Sequence, residues 1–142
     1  MCGDAMPSSL LYLPVIDSTN LYAVKHFDDL PDGTLVAAGA QSAGRGRLGR
    51  VWVSPEGVNI YATLVVKTPG KPFLTGAIVG LAGIRLAREL LPGTPVFLKW
   101  PNDIYFGDEK LVGILIENSL VGQYVGYSIA GIGVNVNQTE WQ

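Results

Sequence analysis

Cysteine is nearly missing from this 142-residue sequence: Cys2 is the only one, so no disulfide can form within the chain. A reducing compartment follows, and the cytoplasm is the expected location. Histidine is as scarce. His26 stands alone, which leaves no histidine-based catalytic triad and no Cys/His metal site. Long uncharged apolar runs are also absent. The most apolar stretch, Phe73 to Leu91, carries Arg85, Arg88 and Glu89, so it reads as a buried helix and no membrane association is expected. The run from Leu10 to Ile16 is interrupted by Pro14 and ends in Asp17, unlike a secretory signal. Net charge is only -2, which argues against broad polyanion binding by the whole surface.

One local absence is more telling. No carboxylate occurs between Asp32 and Glu56, and three of the ten basic residues fall within Gly44-Arg45-Gly46-Arg47-Leu48-Gly49-Arg50. Guanidinium groups on a glycine-rich loop suit phosphate or carboxylate, whose oxygens match the arginine fork. The plain alternative is a solvated turn or a weak nucleic-acid patch. The run is no Walker A loop, since no Gly-Lys-Ser/Thr follows, and it is not placed as a dinucleotide fingerprint.

With 48% apolar residues, the chain suits one domain with a real core. Strands are expected at Leu10–Val15, Thr34–Ala40, Asn59–Lys67, Val96–Trp100, Asp103–Phe106, Lys110–Asn118 and Gln123–Val134. Asp17-Ser18-Thr19-Asn20 offers caps for a short helix over Leu21–Phe27. A longer helix over Phe73–Leu91 contains Gly76, Gly80 and Gly83, which lower its propensity but allow close packing. Pro69-Gly70-Lys71-Pro72 breaks the chain before it. These elements predict an α+β fold, a mixed β-sheet with the helices packed on one face.

Three further clusters carry polar groups. Lys99-Trp100-Pro101-Asn102-Asp103 puts Asn102 and Asp103 at a strand end, where they could face a crevice; a hairpin turn beside a buried Trp reads equally well. Lys110 opens Lys110-Leu111-Val112-Gly113-Ile114-Leu115-Ile116-Glu117, and its nearness to Asp108 and Glu109 favours a solvated end residue over a phosphate ligand. In Gly131-Ile132-Gly133-Val134-Asn135-Val136-Asn137 the glycines read as a bulge, with Asn135 and Asn137 on one side of a strand.

Taken in order, Asp17-Ser18-Thr19-Asn20, Gln41 to Trp52, Lys99 to Asp103, Lys110 to Leu115 and Gly131 to Asn135 resemble the catalytic domain of biotin protein ligases, or biotin–[acetyl-CoA-carboxylase] ligases, from about Leu10 onward. The resemblance implies a class II aminoacyl-tRNA synthetase-like fold, the biotin–lipoate ligase fold. It implies a tail over 1–9 and a catalytic domain over 10–142, incomplete at its C-terminus. The activity implied is ATP-dependent conversion of biotin to biotinyl-5'-AMP, then transfer to one lysine of a biotin carboxyl carrier domain, with Mg²⁺ accompanying ATP. A homodimer is a further candidate partnership. The short N-terminal tail leaves no room for the winged helix of DNA-binding members, so no DNA partner is expected.

By the same resemblance Ser18, Thr19, Asn20 and Gln41 meet the ureido end of biotin. Gly44, Arg45 and Gly46 line the route to its carboxylate. Arg47 and Arg50 belong to the adenylate loop, and Trp52 packs near adenine. Lys110 touches the carboxylate and α-phosphate, with Gly113, Ile114, Leu115 and Gly131 beside it. Asn102 and Asn135 serve the nucleotide or its Mg²⁺, and Asp103 helps the incoming amine. Arg45, Lys110 and Asp103 form the expected catalytic set, and no protein metal site is expected. Lipoate or octanoate chemistry on the same fold is the nearest alternative, and an inactive fragment the next.

Overall fold

The computed structural model describes residues 9–139 except Pro69 and Pro72. Cys2, the two prolines of the predicted break and Trp141 lie outside the described residues. The first strand, β1 (Ser9–Ile16), leads into α1 (Thr19–Lys25). Ser18 caps this helix, its hydroxyl accepting from the Leu21 amide. The helix therefore begins before the expected Leu21, and Thr19 and Asn20 become buried helical residues.

Six more strands and a second helix follow: β2 (Thr34–Gln41), β3 (Ile60–Val66), α2 (Leu74–Leu90), β4 (Val96–Lys99), β5 (Asp103–Phe106), β6 (Glu109–Val121) and β7 (Tyr124–Val134). They form one mixed sheet in the order β1-β2-β3-β7-β6-β5-β4. β1 and β2 run parallel, as a crossover through α1 requires. The other neighbours are antiparallel. β5 and β6 make the expected hairpin at Gly107, whose φ of 56° suits a tight turn. No helix among the described residues is long and apolar enough to cross a membrane.

The helices do not share a face of the sheet. Partners in register point the same way, so Val65 and Ile129 lie on one face and Ile104 and Val112 on the other. Ala23 of α1 packs with Val36, Val65 and Ile129. Ala87 of α2 packs with Val96, Ile104, Val112 and Ile114. β6 and β7 carry apolar residues on both faces, and these runs hide the alternation that would have assigned a helix to each side. Full burial of each Val or Ile contributes roughly 1.5–3 kcal/mol relative to exposure. Gly83 sets the approach of α2: a Cβ there would stand 2.5 Å from Ile104 Cδ1.

α1 covers only part of its face. The remainder, over β6 and β7, is left open beside the arginine loop, and the glycines of those strands lie there.

Candidate functional site

Gly113 of β6 pairs with Gly133 of β7. These glycines form no bulge, contrary to the sequence reading of Gly131 and Gly133; register shifts occur instead at Ile104/Tyr105 and Ser119/Leu120. They make room. A Cβ on either Gly113 or Gly133 would come within 2.4 Å of the Trp52 ring, and one on Gly131 would come within 2.3 Å of Asn20 Oδ1. The indole thus lies directly against the sheet. Its N–H is buried without a partner among the described residues.

A solvent-open cleft of about 460 Å³ opens at this place. Ser18, Thr19 and Asn20 enter it from the start of α1, and Gln41 from the end of β2. Gln41 Oε1 accepts from the Thr19 amide at 2.9 Å, while its amide nitrogen donates to Ser54 Oγ, so the side chain is fixed from both ends. Thr63, wholly buried on β3, donates to Thr19 Oγ1 at 2.8 Å and Asn20 Oδ1 at 2.6 Å. With one hydroxyl hydrogen it shares these two acceptors. This part of the cleft is uncharged and rich in donors and acceptors.

The arginine segment is more ordered than its glycines suggest. Gly46 N donates to Arg50 O, Trp52 N donates to Gly44 O, and Arg45 pairs with Val51, so the two arms form a small ladder. Only the tip bends sharply, with Leu48 at φ 56° and Gly49 at φ 74°. Leu48 is 89% exposed, and a leucine held in the left-handed region costs about 1–2 kcal/mol. Gly44 is buried at the base, where a Cβ would meet Trp52 O at 2.2 Å.

Arg45, Gly46 and Arg47 all border the cleft, and so do Asn102, Asp103 and Lys110. Gly113, Ile114, Leu115 and Gly131 form its floor. Lys110 is no solvated end residue. Its ammonium stands 2.9 Å from Asp103 Oδ1, in ion-pair contact without hydrogen-bond alignment, and 5.1 Å from the centre of the Trp52 ring. Arg47 Nη1 donates to Asn102 Oδ1 at 2.9 Å, and Asn102 in turn donates to Ile114 O. Trp100, one alternative for this segment being a buried tryptophan, is 76% exposed, and the Trp100–Pro101 bond is cis.

Arg45 departs from its expected place beside Lys110. Its Nη1 is 3.1 Å from Glu117 Oε1, and Glu117 Oε2 accepts from Asn20 Nδ2 at 2.8 Å. Asp103 and Lys110 sit beside Gly113, four residues up β6 from Glu117, or about 13 Å along the strand. Arg45 and Lys110 thus both border the cleft but are held by different carboxylates.

Three expected residues lie outside this cleft: Gly44, Arg50 and Asn135. The strand ends at Val134, so Asn135 and Asn137 do not alternate along it. Asn135 instead clamps β6, donating from its amide to Leu111 O and from its side chain to Lys110 O. It also borders a second, larger groove of about 1700 Å³ that shares Trp52 and Lys110 with the first. Sequence reading missed Glu117, Thr63 and Gly133 as part of this constellation. The available signal was period two along β6, which puts Gly113, Leu115 and Glu117 on one face.

One cleft on a mixed sheet is thus lined by uncharged hydrogen-bonding groups together with Arg45, Arg47 and Lys110. The sequence matches the biotin/lipoate A/B protein ligase family over residues 12–135, and the chain belongs to that family. It is 40% identical over 139 residues to the bifunctional ligase/repressor BirA of Escherichia coli, a match covering 94% of this chain and 42% of that protein. It is 39% identical to the biotin–[acetyl-CoA-carboxylase] ligase of Paracoccus denitrificans, covering 84% of this chain and 51% of the relative. Among solved structures, the biotin protein ligase of Aquifex aeolicus in complex with biotin and ATP superposes with a TM-score of 0.79 at 34% identity, over 95% of this chain and 55% of that one. The Leishmania major biotin protein ligase in complex with biotinyl-5-AMP gives a TM-score of 0.77 at 31% identity, over 96% of this chain and 61% of that one. The chain spans about half the length of the curated relatives it matches.

Proposed function

We propose that this chain is the acid-activating part of a biotin protein ligase. Biotin carboxylate attacks the α-phosphorus of ATP, forming a mixed anhydride, biotinyl-5'-AMP, and releasing pyrophosphate. A lysine amine of a biotin carboxyl carrier domain then attacks the acyl carbon and expels AMP. The observation that carries this reading is a single cleft in which uncharged groups from α1 and β2 stand with Arg45, Arg47 and Lys110, joined to a larger groove through Trp52 and Lys110.

Ser18, Thr19 and Gln41 supply uncharged donors and acceptors for the ureido ring, whose polar edge must be satisfied once buried. A lipoyl chain offers no matching polar edge to those groups. The names of the relatives favour biotin as well. Lys110 and Arg47 lie where the acid would meet the phosphate, and each offsets the repulsion between two anions. Asn135 and Arg50 belong to the nucleotide side. Magnesium would accompany the phosphates of ATP as part of the substrate. A homodimer is part of the same reading; β1 and β4 are the edge strands of the sheet among the described residues.

Biotin-dependent exchange of pyrophosphate into ATP tests activation without an acceptor. Lys110→Ala should lower it at least tenfold at saturating biotin, since one such donor is worth on the order of 3 kcal/mol. Exchange driven by lipoate and not by biotin would overturn the assignment.

A further inference from the structure

Arg45 and Glu117 carry an inference beyond the cleft's expected chemistry. Glu117 does not border the cleft. It sits beneath it on β6, on the face shared with Leu115 and Gly113. One carboxylate oxygen holds Arg45, and the other accepts from Asn20. Asn20 is itself fixed by Thr63, and no side chain larger than glycine would fit under it at position 131. The glycine–arginine ladder is thus fastened at three places. Its base is tied to β1, with Ser42 N donating to Ile16 O and Ala43 N to Asp17 O; its tip is held by Arg47 on Asn102; its middle is held by Arg45 on Glu117.

We propose that the Arg45–Glu117 pair is a clasp, with Glu117 as a positioning residue that holds the ladder over the neutral end of the cleft. Arg45 then acts by retaining the ureido ring, while Lys110 and Arg47 at the other end face the reacting acid and phosphate. This rests on the biotin-ligase reading above and deepens it. The register supports the division, since Glu117 lies opposite Ile129, four residues along β6 from Gly113, the partner of Asp103, and seven from Lys110. The pair is only partly exposed, with side chains 43% and 31% accessible. Glu117's second bond, to Asn20, ties the loop to α1 and to the residues that would meet the ring.

The test is a double-mutant cycle in the full chain: wild type, Glu117→Gln, Arg45→Ala and the double variant, with thermal melts to establish folding. Biotin-dependent pyrophosphate exchange gives KM for biotin and kcat. Each single variant should raise KM for biotin about fivefold, a size expected of one networked, half-exposed ion pair. Each should leave kcat at saturating biotin within about threefold. The double variant should be no worse than either single one, because all three lack the same clasp. Effects that multiply to about 25-fold in the double variant would overturn the proposal. So would a loss confined to kcat, which would put the Arg45 guanidinium on the reacting groups. Absence of biotin-dependent exchange by the wild type would overturn the ligase reading and the clasp with it. Normal wild-type exchange with multiplying variants would overturn the clasp alone.

Discussion

Lys110 and Asp103 face each other across the β5–β6 hairpin at 2.9 Å, neither in bulk solvent, with the lysine also leaning over Trp52. The β-bulge at Ile104/Tyr105 produces this meeting, because it turns Lys110 onto the face that Asp103 occupies. If the lysine moves to substrate anions when they bind, Asp103 is released as an acceptor for a proton. Asp103→Asn should then lower transfer of biotin to a carrier domain by about 100-fold, the lower range for general-base catalysis. Pyrophosphate exchange should fall less than tenfold. Single-turnover transfer from preformed biotinyl-5'-AMP, compared with exchange by the same protein, checks this; equal losses in both would reduce Asp103 to a holder of Lys110.

Gly133 is required by volume. A Cβ there would stand 2.4–2.6 Å from Cε2, Cζ2 and Nε1 of Trp52. Gly133→Ala should displace the indole, cost about 1–3 kcal/mol as overpacking does, and weaken biotin binding. Thermal melts and calorimetry with biotin measure both effects. An unchanged affinity would mean that the placement of Trp52 does not shape the cleft.

Tyr61 offers a pH test away from the cleft. Its hydroxyl donates to Pro55 O at 2.8 Å, and its side chain is 1% exposed. Burial raises its pKa above the ordinary 10.0, partly opposed by a hydrogen bond to Asn59. The folded state therefore holds the phenolic proton more tightly than the unfolded state. This contribution is complete below about pH 10 and disappears as pH rises through the higher folded value. Tyr61→Phe should cost about 1 kcal/mol at neutral pH, through the lost hydrogen bond. The gap between wild type and variant should shrink in melts run above pH 10; a constant gap would contradict it.

Much of the fold could be read from short-range patterns. Ser18 before a short amphipathic segment located α1, and Gly107-Asp108 between two apolar runs located the β5–β6 hairpin. The boundary of α1 shifted because Ser18, one of several adjacent capping residues, makes the cap. Assignment of the two helices to opposite faces was hidden, because β6 and β7 are apolar on both sides and their alternation is lost.

For the cleft, the ordered motifs brought forward Ser18, Gln41, Arg47, Asn102 and Lys110, all of which border it. The arginine run marked the loop beside the cleft but did not distinguish its arginines. Arg45 and Arg47 are two residues apart, yet one is held by Glu117 and the other by Asn102. Those partners lie 72 and 55 positions away along the chain, and no local pattern ranks one distant acceptor over another.

The sequence by itself determined the elements, the scarcity of cysteine and histidine, and the concentration of cations in one loop, because each depends on composition or on neighbours within a few residues. The tertiary structure alone decided which cation meets which carboxylate, that Trp52 occupies space left by two glycines, and that uncharged groups and cations border one cleft. Those outcomes depend on strand register and on close packing between residues far apart in the chain, and a shift of one position in β6 would have turned Gly113 and Glu117 to the opposite face.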